Sequence, residues 1–189
     1  LGAWVGMCGV QLQPLVEALK ASVLSHSILH ADETPVPMLK PGNKKTHRAY
    51  LWAYAPGVFE TTRAVVYEFC ESRAGEHARA FLGKSDEDGG WSGTLVCDDY
   101  VAYKALFTKG VTESGCMAHA RRKLFELHAN HTSLVAAEGL KFFDLLYDVE
   151  RDAKALSAEN RKKIRLEKAK PIADALHKWL LLQRSKVPN

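Results

Sequence analysis

The sequence predicts an α/β protein in which a mixed sheet is flanked by helices, and two observations support this fold class. Three short strand-like runs follow one another, separated by turns rich in Pro, Gly, Asn and Lys, which is the pattern of an antiparallel meander. Further strand-like runs then alternate with helical patterns, which is typical of helix-linked strands parallel to the first one. With 189 residues, 47% of them hydrophobic, the chain can bury a sizeable core.

The elements of this fold follow in a definite order along the chain. Apolar residues at helical spacing predict a lead-in helix over 12–24. Strands are predicted in SILHAD, AYLWAYA and AVVYEF, then a helix in SRAGEHARAFLG, a fourth strand in GTLVCD and a short fifth strand in TESGCMA. We expect Ser72 to cap the N-terminus of the helix in SRAGEHARAFLG and Gly83 to end it.

The last third of the chain is predicted to be helical. One helix is expected from about His119 to His128, and amphipathic patterns mark two more. Their apolar positions are Ala136, Leu140, Phe143 and Tyr147 in the first and Ile172, Leu176 and Trp179 in the second, with Pro171 near the start of the second. The predicted organisation is a lead-in helix over 1–27, an α/β core over 28–130 and a helical extension over 131–189.

The composition argues against several classes of protein. No run approaches the roughly 20 apolar residues that span a bilayer. The cysteines Cys8, Cys70, Cys97 and Cys116 are widely spaced and form no C-x-x-C pair. Neither a disulfide framework nor a four-thiolate zinc site is predicted, and a reducing cytoplasm fits best. The chain begins at Leu1 without the pattern of a signal peptide, and we expect it to be a fragment of a longer protein.

The formal net charge of +4 is unevenly distributed along the chain. Residues 1–120 carry 11 Lys and Arg against 13 Asp and Glu, whereas residues 121–189 carry 15 against 9. A basic C-terminal third is compatible with a polyanionic partner, although such a distribution by itself is more often a solvated helix face.

Two aspartates end strand-like runs that the predicted topology makes neighbours. Asp32 closes the first run and Asp98 closes the fourth, so both are expected at the same end of the sheet, with Thr34 and Pro35 stopping the first strand. Two carboxylates that close repel each other unless a divalent cation lies between them. Their oxygens suit Mg²⁺ or Mn²⁺, and a pair of such ions about 3.5–4 Å apart supports in-line phosphoryl transfer.

Five segments in order carry a resemblance to a known family: HADETPVPML, AYLWAYA, SRAGEHARAFLG, GTLVCDDYVAYKAL and GCMAHARRKLFEL. Together they resemble the transposases of the insertion sequence 66 family, a branch of the DDE transposases with an RNase H-like catalytic domain. The resemblance implies an RNase H-like mixed sheet in which Asp32 and Asp98 are the first and second catalytic aspartates and metal ligands. AHARRK, over 118–123, is similar to the family's basic segment, and its candidate DNA contacts are His119, Arg121, Arg122 and Lys123.

The resemblance also implies an activity for the full-length protein. Asp32, Asp98 and a glutamate would hold two Mg²⁺ or Mn²⁺ ions, water would cleave DNA at the element's end, and the freed 3′-hydroxyl would attack target DNA. The partners implied are DNA and further copies of the transposase, with no membrane. The family's glutamate lies in an "NN…ER" motif that this chain lacks. We therefore expect an incomplete catalytic domain with a partial metal site and little or no strand transfer by itself.

Several alternatives stay open at this point. Asp32 by itself also fits an acidic turn cap, and Asp99 stands beside Asp98 where the family usually has a small residue, so the ligand could be shifted. Glu33 should point to the opposite side of the strand from Asp32. The basic residues that open a helix at 121–123 fit phosphate contacts or a solvated face. The alternative functions are a non-catalytic DNA-binding or assembly remnant and a metal-dependent nuclease that takes its third acid from the C-terminal helices.

Overall fold

The computed structural model describes residues 2–42, 44–83 and 90–186 of the chain. It has two compact units, Leu1–Cys116 and Met117–Asn189. The first unit contains the sheet and the second contains helices. Each unit is a group of residues in mutual contact. The domain boundaries at 27/28 and 130/131 stay a prediction.

The first unit follows the order of elements predicted from the sequence. Its helices are α1 (Gly2–Leu24), α2 (Gly75–Leu82) and the short α3 (Lys104–Phe107), which a 3₁₀ turn at Val101–Tyr103 precedes. Its strands are β1 (Ile28–Met38), β2 (His47–Pro56), β3 (Val66–Cys70), β4 (Thr94–Cys97) and β5 (Thr112–Gly115). The lead-in helix α1 begins ten residues earlier than the helix predicted over 12–24.

The five strands form one mixed sheet in the order β3-β2-β1-β4-β5. The pairs β1 with β2 and β2 with β3 are antiparallel, whereas β4 is parallel to both β1 and β5. An antiparallel meander therefore continues into helix-linked parallel strands. The predicted α/β fold class, a mixed sheet flanked by helices, is confirmed.

Strand β1 is longer than the sequence analysis predicted. Thr34 and Pro35 do not end it, because they pair with Leu51 and Tyr50 of β2 and the strand runs on to Met38. The pairing of β1 with β4 covers only Ile28–His30, so among the described residues Pro35 has a partner strand on the β2 side alone. Prolines within sheets are found at such edge positions, where the missing N–H removes no ladder hydrogen bond.

The core of the first unit lies on the face of β1 that carries Leu29 and Ala31, both buried. Trp52 and Tyr54 of β2 are fully buried on it, and the ring of Tyr54 stacks on Phe81 of α2 with centroids 3.7 Å apart. The last turn of α1 buries Val23 in the same cluster. Earlier apolar side chains of α1 are exposed, among them Trp4 and Val10.

Helix α2 begins differently from the prediction. Its N-cap residue is Ala74 without a side-chain cap, and the predicted cap Ser72 instead hydrogen-bonds His77 Nε2 through its hydroxyl, at 2.8 Å. Ser72 lies too far before the first helical residue, Gly75, for its hydroxyl to reach the second or third helical N–H, as an N-cap does. Gly83 follows the last helical residue at φ +83°, so its predicted role at the C-terminus is confirmed.

The second unit is helical, as the amphipathic patterns predicted. It contains α4 (Met117–His131), α5 (Leu134–Ala153), α6 (Ala158–Ile164), a π-helical stretch at Arg165–Ala169 and α7 (Lys170–Arg184). Phe143, Leu176 and Trp179 form its buried cluster. Helix α6 was not predicted from the sequence. Its N-cap Ser157 accepts a hydrogen bond from the N–H of Asn160. Within the described residues, no helix has the length and apolar character that crossing a membrane requires.

Gly93 makes the close approach between the start of β4 and the chain before β1 possible. The N–H of Thr94 donates to the carbonyl oxygen of Ser27 at 2.8 Å. A Cβ at residue 93 would clash with that same carbonyl oxygen and would lie 2.5 Å from the Trp91 ring. Since the nearest obstacle is backbone, it cannot move aside without shifting a strand.

We therefore expect Gly93→Ala to lower the free energy of unfolding by about 1–3 kcal/mol, the usual cost of overpacking. Urea denaturation followed by circular dichroism measures it. Gly115→Ala is the matched control, because a Cβ at Gly115 of β5 meets nothing within 4 Å. An equal loss in both variants would contradict the assigned approach of β4.

Candidate active site

The two aspartates singled out from the sequence each follow the paired part of β1 and β4 by two residues. Ile28 pairs with Thr94 and His30 with Val96, an offset of 66 residues that also separates Asp32 from Asp98. Neighbouring strands are about 4.8 Å apart. Asp32 lies on the exposed face of β1, opposite to Leu29, and Asp98 directly follows the last residue of β4. The pairing thus makes β1, which contains Asp32, a direct neighbour of β4, which Asp98 follows.

Asp98 and Asp99 lie in different surroundings. Asp98 Oδ1 accepts a hydrogen bond from the N–H of Tyr100 at 3.0 Å, and Oδ2 lies 3.9 Å from Nη2 of Arg73. The Asp99 side chain is 93% exposed, and its Oδ1 lies 2.6 Å from Nζ of Lys104. Lys104 also contacts Glu113 of β5 at 2.6 Å, and its hydrogen bonds to Asp99 and Glu113 raise its pKa. Asp98 therefore faces Arg73, whereas Asp99 is paired with Lys104.

Glu33 is the buried carboxylate of this region. Its side chain is 1% exposed, because strand alternation turns it away from Asp32 towards the core, as predicted. Oε2 accepts a hydrogen bond from the hydroxyl of Tyr103 at 2.7 Å, and Oε1 accepts from both Nε, at 2.8 Å, and Nη2 of Arg73. Burial raises the pKa of Glu33, while the hydrogen bonds from Tyr103 and Arg73 oppose that shift.

Arg73 connects this buried carboxylate with the chain around Asp98. Its guanidinium carbon lies 3.6 Å from the centre of the Tyr100 ring, and the Tyr100 hydroxyl donates to the carbonyl oxygen of Arg73 at 2.8 Å. Burial alone would lower the pKa of Arg73, but the hydrogen bonds and charge of Glu33 raise it. Arg73 and Tyr103 were not predicted from the sequence, because they lie 40 and 70 residues from Glu33 in the chain. No local spacing could have shown that they contact Glu33.

The donor atoms of Asp32 and Asp98 fit part of a site for a divalent cation. Both supply hard carboxylate oxygens, which Mg²⁺ and Mn²⁺ prefer, and neither residue is buried. Within 2–42, 44–83 and 90–186, no group of three His, Cys, Asp or Glu side chains is placed to hold a metal ion. The partial metal site that the resemblance implies stays a prediction.

The candidate DNA contacts lie in the second unit, near the start of α4, which begins at Met117. Arg122 and Lys123 are exposed, whereas His119 is half-buried. Arg121 is half-buried too, and its Nη2 lies 3.6 Å from Asp144 of α5. Its guanidinium also lies over the Phe125 and Tyr147 rings. Arg121 therefore packs against other side chains of this unit, whereas Arg122 and Lys123 are exposed.

Comparison with models of protein families matches residues 1–189 to the Transposase IS66 family. The chain belongs to this family. Curated relatives include the uncharacterized proteins y4hP and y4qI of Sinorhizobium fredii (strain NBRC 101917 / NGR234), each 32% identical. The alignments cover 96% and 93% of this chain but only 35% and 34% of the relatives. This IS66 family chain thus spans about a third of the length of the relatives it matches.

Among solved structures, two retroviral proteins are similar to this IS66 family chain. One is the HTLV-2 integrase catalytic core domain in complex with magnesium, in its dimeric form, at 16% identity and a TM-score of 0.33. That match covers 72% of this chain and 81% of the integrase chain. The other is a simian T-cell lymphotropic virus intasome in complex with the PP2A regulatory subunit B56 gamma, at 18% identity and a TM-score of 0.32. It covers 74% of this chain and 46% of that chain.

The contacts of Glu33 predict a large effect of removing its carboxylate. We expect Glu33→Ala to lower the free energy of unfolding by about 2–3 kcal/mol, because Arg73 loses its partner and the Tyr103 hydroxyl stays buried without an acceptor. The expected loss is at or below the smallest values found when a fully buried ion pair is broken, because the Arg73 side chain is 38% exposed.

Chemical denaturation of Glu33→Ala and Glu113→Ala provides the comparison. Glu113 also pairs with a cation, Lys104, but both side chains are 42% exposed. Its replacement should cost about 0–1 kcal/mol. A Glu33→Ala protein as stable as Glu113→Ala would show that the network around Glu33 does not stabilise the fold.

Proposed function

We propose that this chain is part of the catalytic domain of an IS66 family transposase and that Asp32 and Asp98 are two of its catalytic acids. The observation that supports the proposal is the parallel pairing of Ile28–His30 with Thr94–Val96. Its offset of 66 residues also separates Asp32 from Asp98, each two residues beyond the last pair. The geometry also favours Asp98 over Asp99, because the Asp99 carboxylate is paired with Lys104. Family membership, which extends over the whole chain, supports the same assignment.

In this proposal the oxygens of Asp32 and Asp98 hold the divalent cation. The chemistry that Mg²⁺ or Mn²⁺ supplies when bound is Lewis-acid stabilisation of negative charge on a phosphodiester oxygen. The chain's own part is to present both carboxylates, Asp32 from within β1 and Asp98 from the residue that follows β4. The Tyr100 N–H orients Oδ1 of Asp98, and the exposed face of β1 keeps Asp32 accessible to solvent and to DNA.

We further propose that the whole protein cleaves DNA at the ends of a mobile element and joins them to target DNA. Since this chain spans about a third of its curated relatives, further parts of the protein complete the activity. The third acid, the binding of specific DNA ends and the self-association of the active complex belong to this whole-protein proposal. The proposal places the protein in the cytoplasm, in keeping with its cysteine usage.

A second candidate function is DNA binding without catalysis. It is favoured by the charge of residues 121–189, which carry 15 Lys and Arg against 9 Asp and Glu, and by the exposure of Arg122 and Lys123. Such a remnant would bind DNA through phosphate contacts, which are insensitive to sequence and weaken as salt increases. Metal binding at the two aspartates separates the candidates.

Mn²⁺ titration of the 189-residue chain, followed by electron paramagnetic resonance, tests the metal assignment. We expect Asp32→Asn and Asp98→Asn each to weaken Mn²⁺ binding by at least about tenfold, which corresponds to about 1.4 kcal/mol. Each change removes a negative ligand and keeps the side-chain shape. The control Asp99→Asn should stay within about twofold of the unchanged protein.

The pattern across these three variants decides between the candidates. A loss confined to Asp32→Asn and Asp98→Asn supports the catalytic proposal. Binding that is lost in Asp99→Asn instead would move the second ligand by one residue. The absence of Mn²⁺ binding, together with salt-sensitive DNA binding and no nicking, would favour the non-catalytic remnant.

DNA binding by the start of α4 is tested with fluorescence anisotropy on a labelled duplex at several salt concentrations. We expect the double change Arg122→Ala with Lys123→Ala to weaken binding and to reduce the slope of log K against log salt by about 2, roughly one for each lost phosphate contact. The control changes Lys162 and Lys163, two adjacent exposed lysines of α6. Equal slopes in the two double variants would contradict a specific role for Arg122 and Lys123.

A further inference from the structure

Asp98 lies just outside the part of the sheet that strand pairing holds in place. Strand β4 ends at Cys97, so the ladder does not fix the backbone of Asp98. Its carboxylate accepts the N–H of Tyr100, at 3.0 Å. The position of Asp98 therefore depends on what holds Tyr100.

Tyr100 is held by Arg73 in two ways. The guanidinium carbon of Arg73 lies 3.6 Å from the centre of the Tyr100 ring, and the Tyr100 hydroxyl donates to the Arg73 carbonyl oxygen at 2.8 Å. The first contact fixes the ring face and the second fixes the far end of the side chain. Nη2 of Arg73 also lies 3.9 Å from Oδ2 of Asp98, so Arg73 acts on the aspartate through its charge as well as through Tyr100.

Arg73 in turn is fixed by Glu33. Two of its nitrogens, Nε and Nη2, donate to Oε1 of Glu33, and a planar guanidinium held at two nitrogens cannot rotate freely. The Glu33 side chain is 1% exposed and its other oxygen accepts the Tyr103 hydroxyl. A carboxylate buried in this way must keep its partners, because leaving it unpaired is costly. Glu33 is therefore a rigid attachment point in β1.

The same strand carries Asp32, the residue next to Glu33. The contacts from Glu33 through Arg73 and Tyr100 to Asp98 thus connect β1, which carries Asp32, with the second proposed acid. A surface ion pair of no functional use would not need its arginine to stack on Tyr100 or to face Asp98. Arg73 and Tyr100 are therefore arranged to hold Asp98 in place.

We propose that Arg73, anchored by Glu33, is a positioning residue that fixes Asp98 beside Asp32 through Tyr100. The inference rests on the proposed function in taking Asp98 as a catalytic acid. Arg73 is not itself a ligand in this account, because its charge would repel a cation. Its role is to hold the backbone and carboxylate of residue 98 in the orientation that a shared site with Asp32 requires.

Amide exchange measured by NMR on the ¹⁵N-labelled 189-residue chain tests this without any metal. We expect the Tyr100 amide, which is bonded to Asp98 Oδ1, to exchange at least about tenfold faster in Arg73→Lys, a loss of about 1.4 kcal/mol of local protection. Lysine keeps the charge that Glu33 needs, so the fold should survive, but it lacks the planar group that makes two hydrogen bonds and stacks on Tyr100. The control is Arg63→Lys, at an exposed arginine of the same unit.

A second variant isolates the Tyr100 step. Tyr100→Phe keeps the ring over Arg73 and removes only the hydroxyl that bonds the Arg73 carbonyl oxygen. We expect an intermediate acceleration of exchange at residue 100, with amides in the centre of β2 unchanged. In the same samples, Mn²⁺ binding should be weaker in Arg73→Lys than in Arg63→Lys by at least about threefold.

The outcomes separate this inference from the proposed function. If Arg73→Lys leaves both the residue-100 amide and Mn²⁺ affinity within about twofold of Arg63→Lys, the positioning role is wrong. Equal acceleration of exchange throughout the sheet would also overturn it, because that is the result of general destabilisation. If Asp32→Asn and Asp98→Asn leave Mn²⁺ binding unchanged, the metal assignment fails, while the exchange of the residue-100 amide still decides whether Arg73 positions Asp98.

Discussion

The parallel pairing of β1 with β4 is the interaction on which the candidate site depends. It sets an offset of 66 residues between the paired segments, and the same offset separates Asp32 from Asp98. A shift by one residue would turn one of the two carboxylates towards the opposite face of the sheet, because side chains alternate along a strand. The buried leucines Leu29 and Leu95, which pair with each other, oppose such a shift. Packing of the core therefore fixes the register of β1 against β4, on which the positions of Asp32 and Asp98 depend.

Glu33 adds a second constraint, of electrostatic origin. An exposed ion pair such as Lys104 with Glu113 contributes little to stability, whereas breaking a buried pair costs about 3–5 kcal/mol. With a side chain that is 1% exposed, Glu33 is nearer the second case, and it forces Arg73 and Tyr103 to stay in place. Adjacent residues of β1 thus have separate tasks: Glu33 faces inwards and organises its surroundings, while Asp32 faces outwards.

Much of the fold could be predicted because local patterns encode it. The strand-like runs, the helical periodicity and Gly83 at the end of α2 depend on residues close in the chain. The predicted end of β1 was wrong because a distant partner overrides a local preference: Pro35 is typical of a strand end, yet it pairs with Tyr50 of β2. The predicted cap was wrong for a local reason, because α2 begins at Gly75, too far along the chain for the Ser72 hydroxyl to cap it.

The sequence by itself determined the fold class, the family resemblance and the two candidate aspartates, since each depends on short motifs and their order. Only the tertiary structure decided that Glu33 is buried against Arg73 and Tyr103 and that Asp99 is turned to Lys104. Those contacts join residues up to 70 positions apart. The physical reason is that hydrogen bonds and charge interactions act over a few ångströms in space, and no spacing along the chain shows which distant side chains folding will bring within that distance.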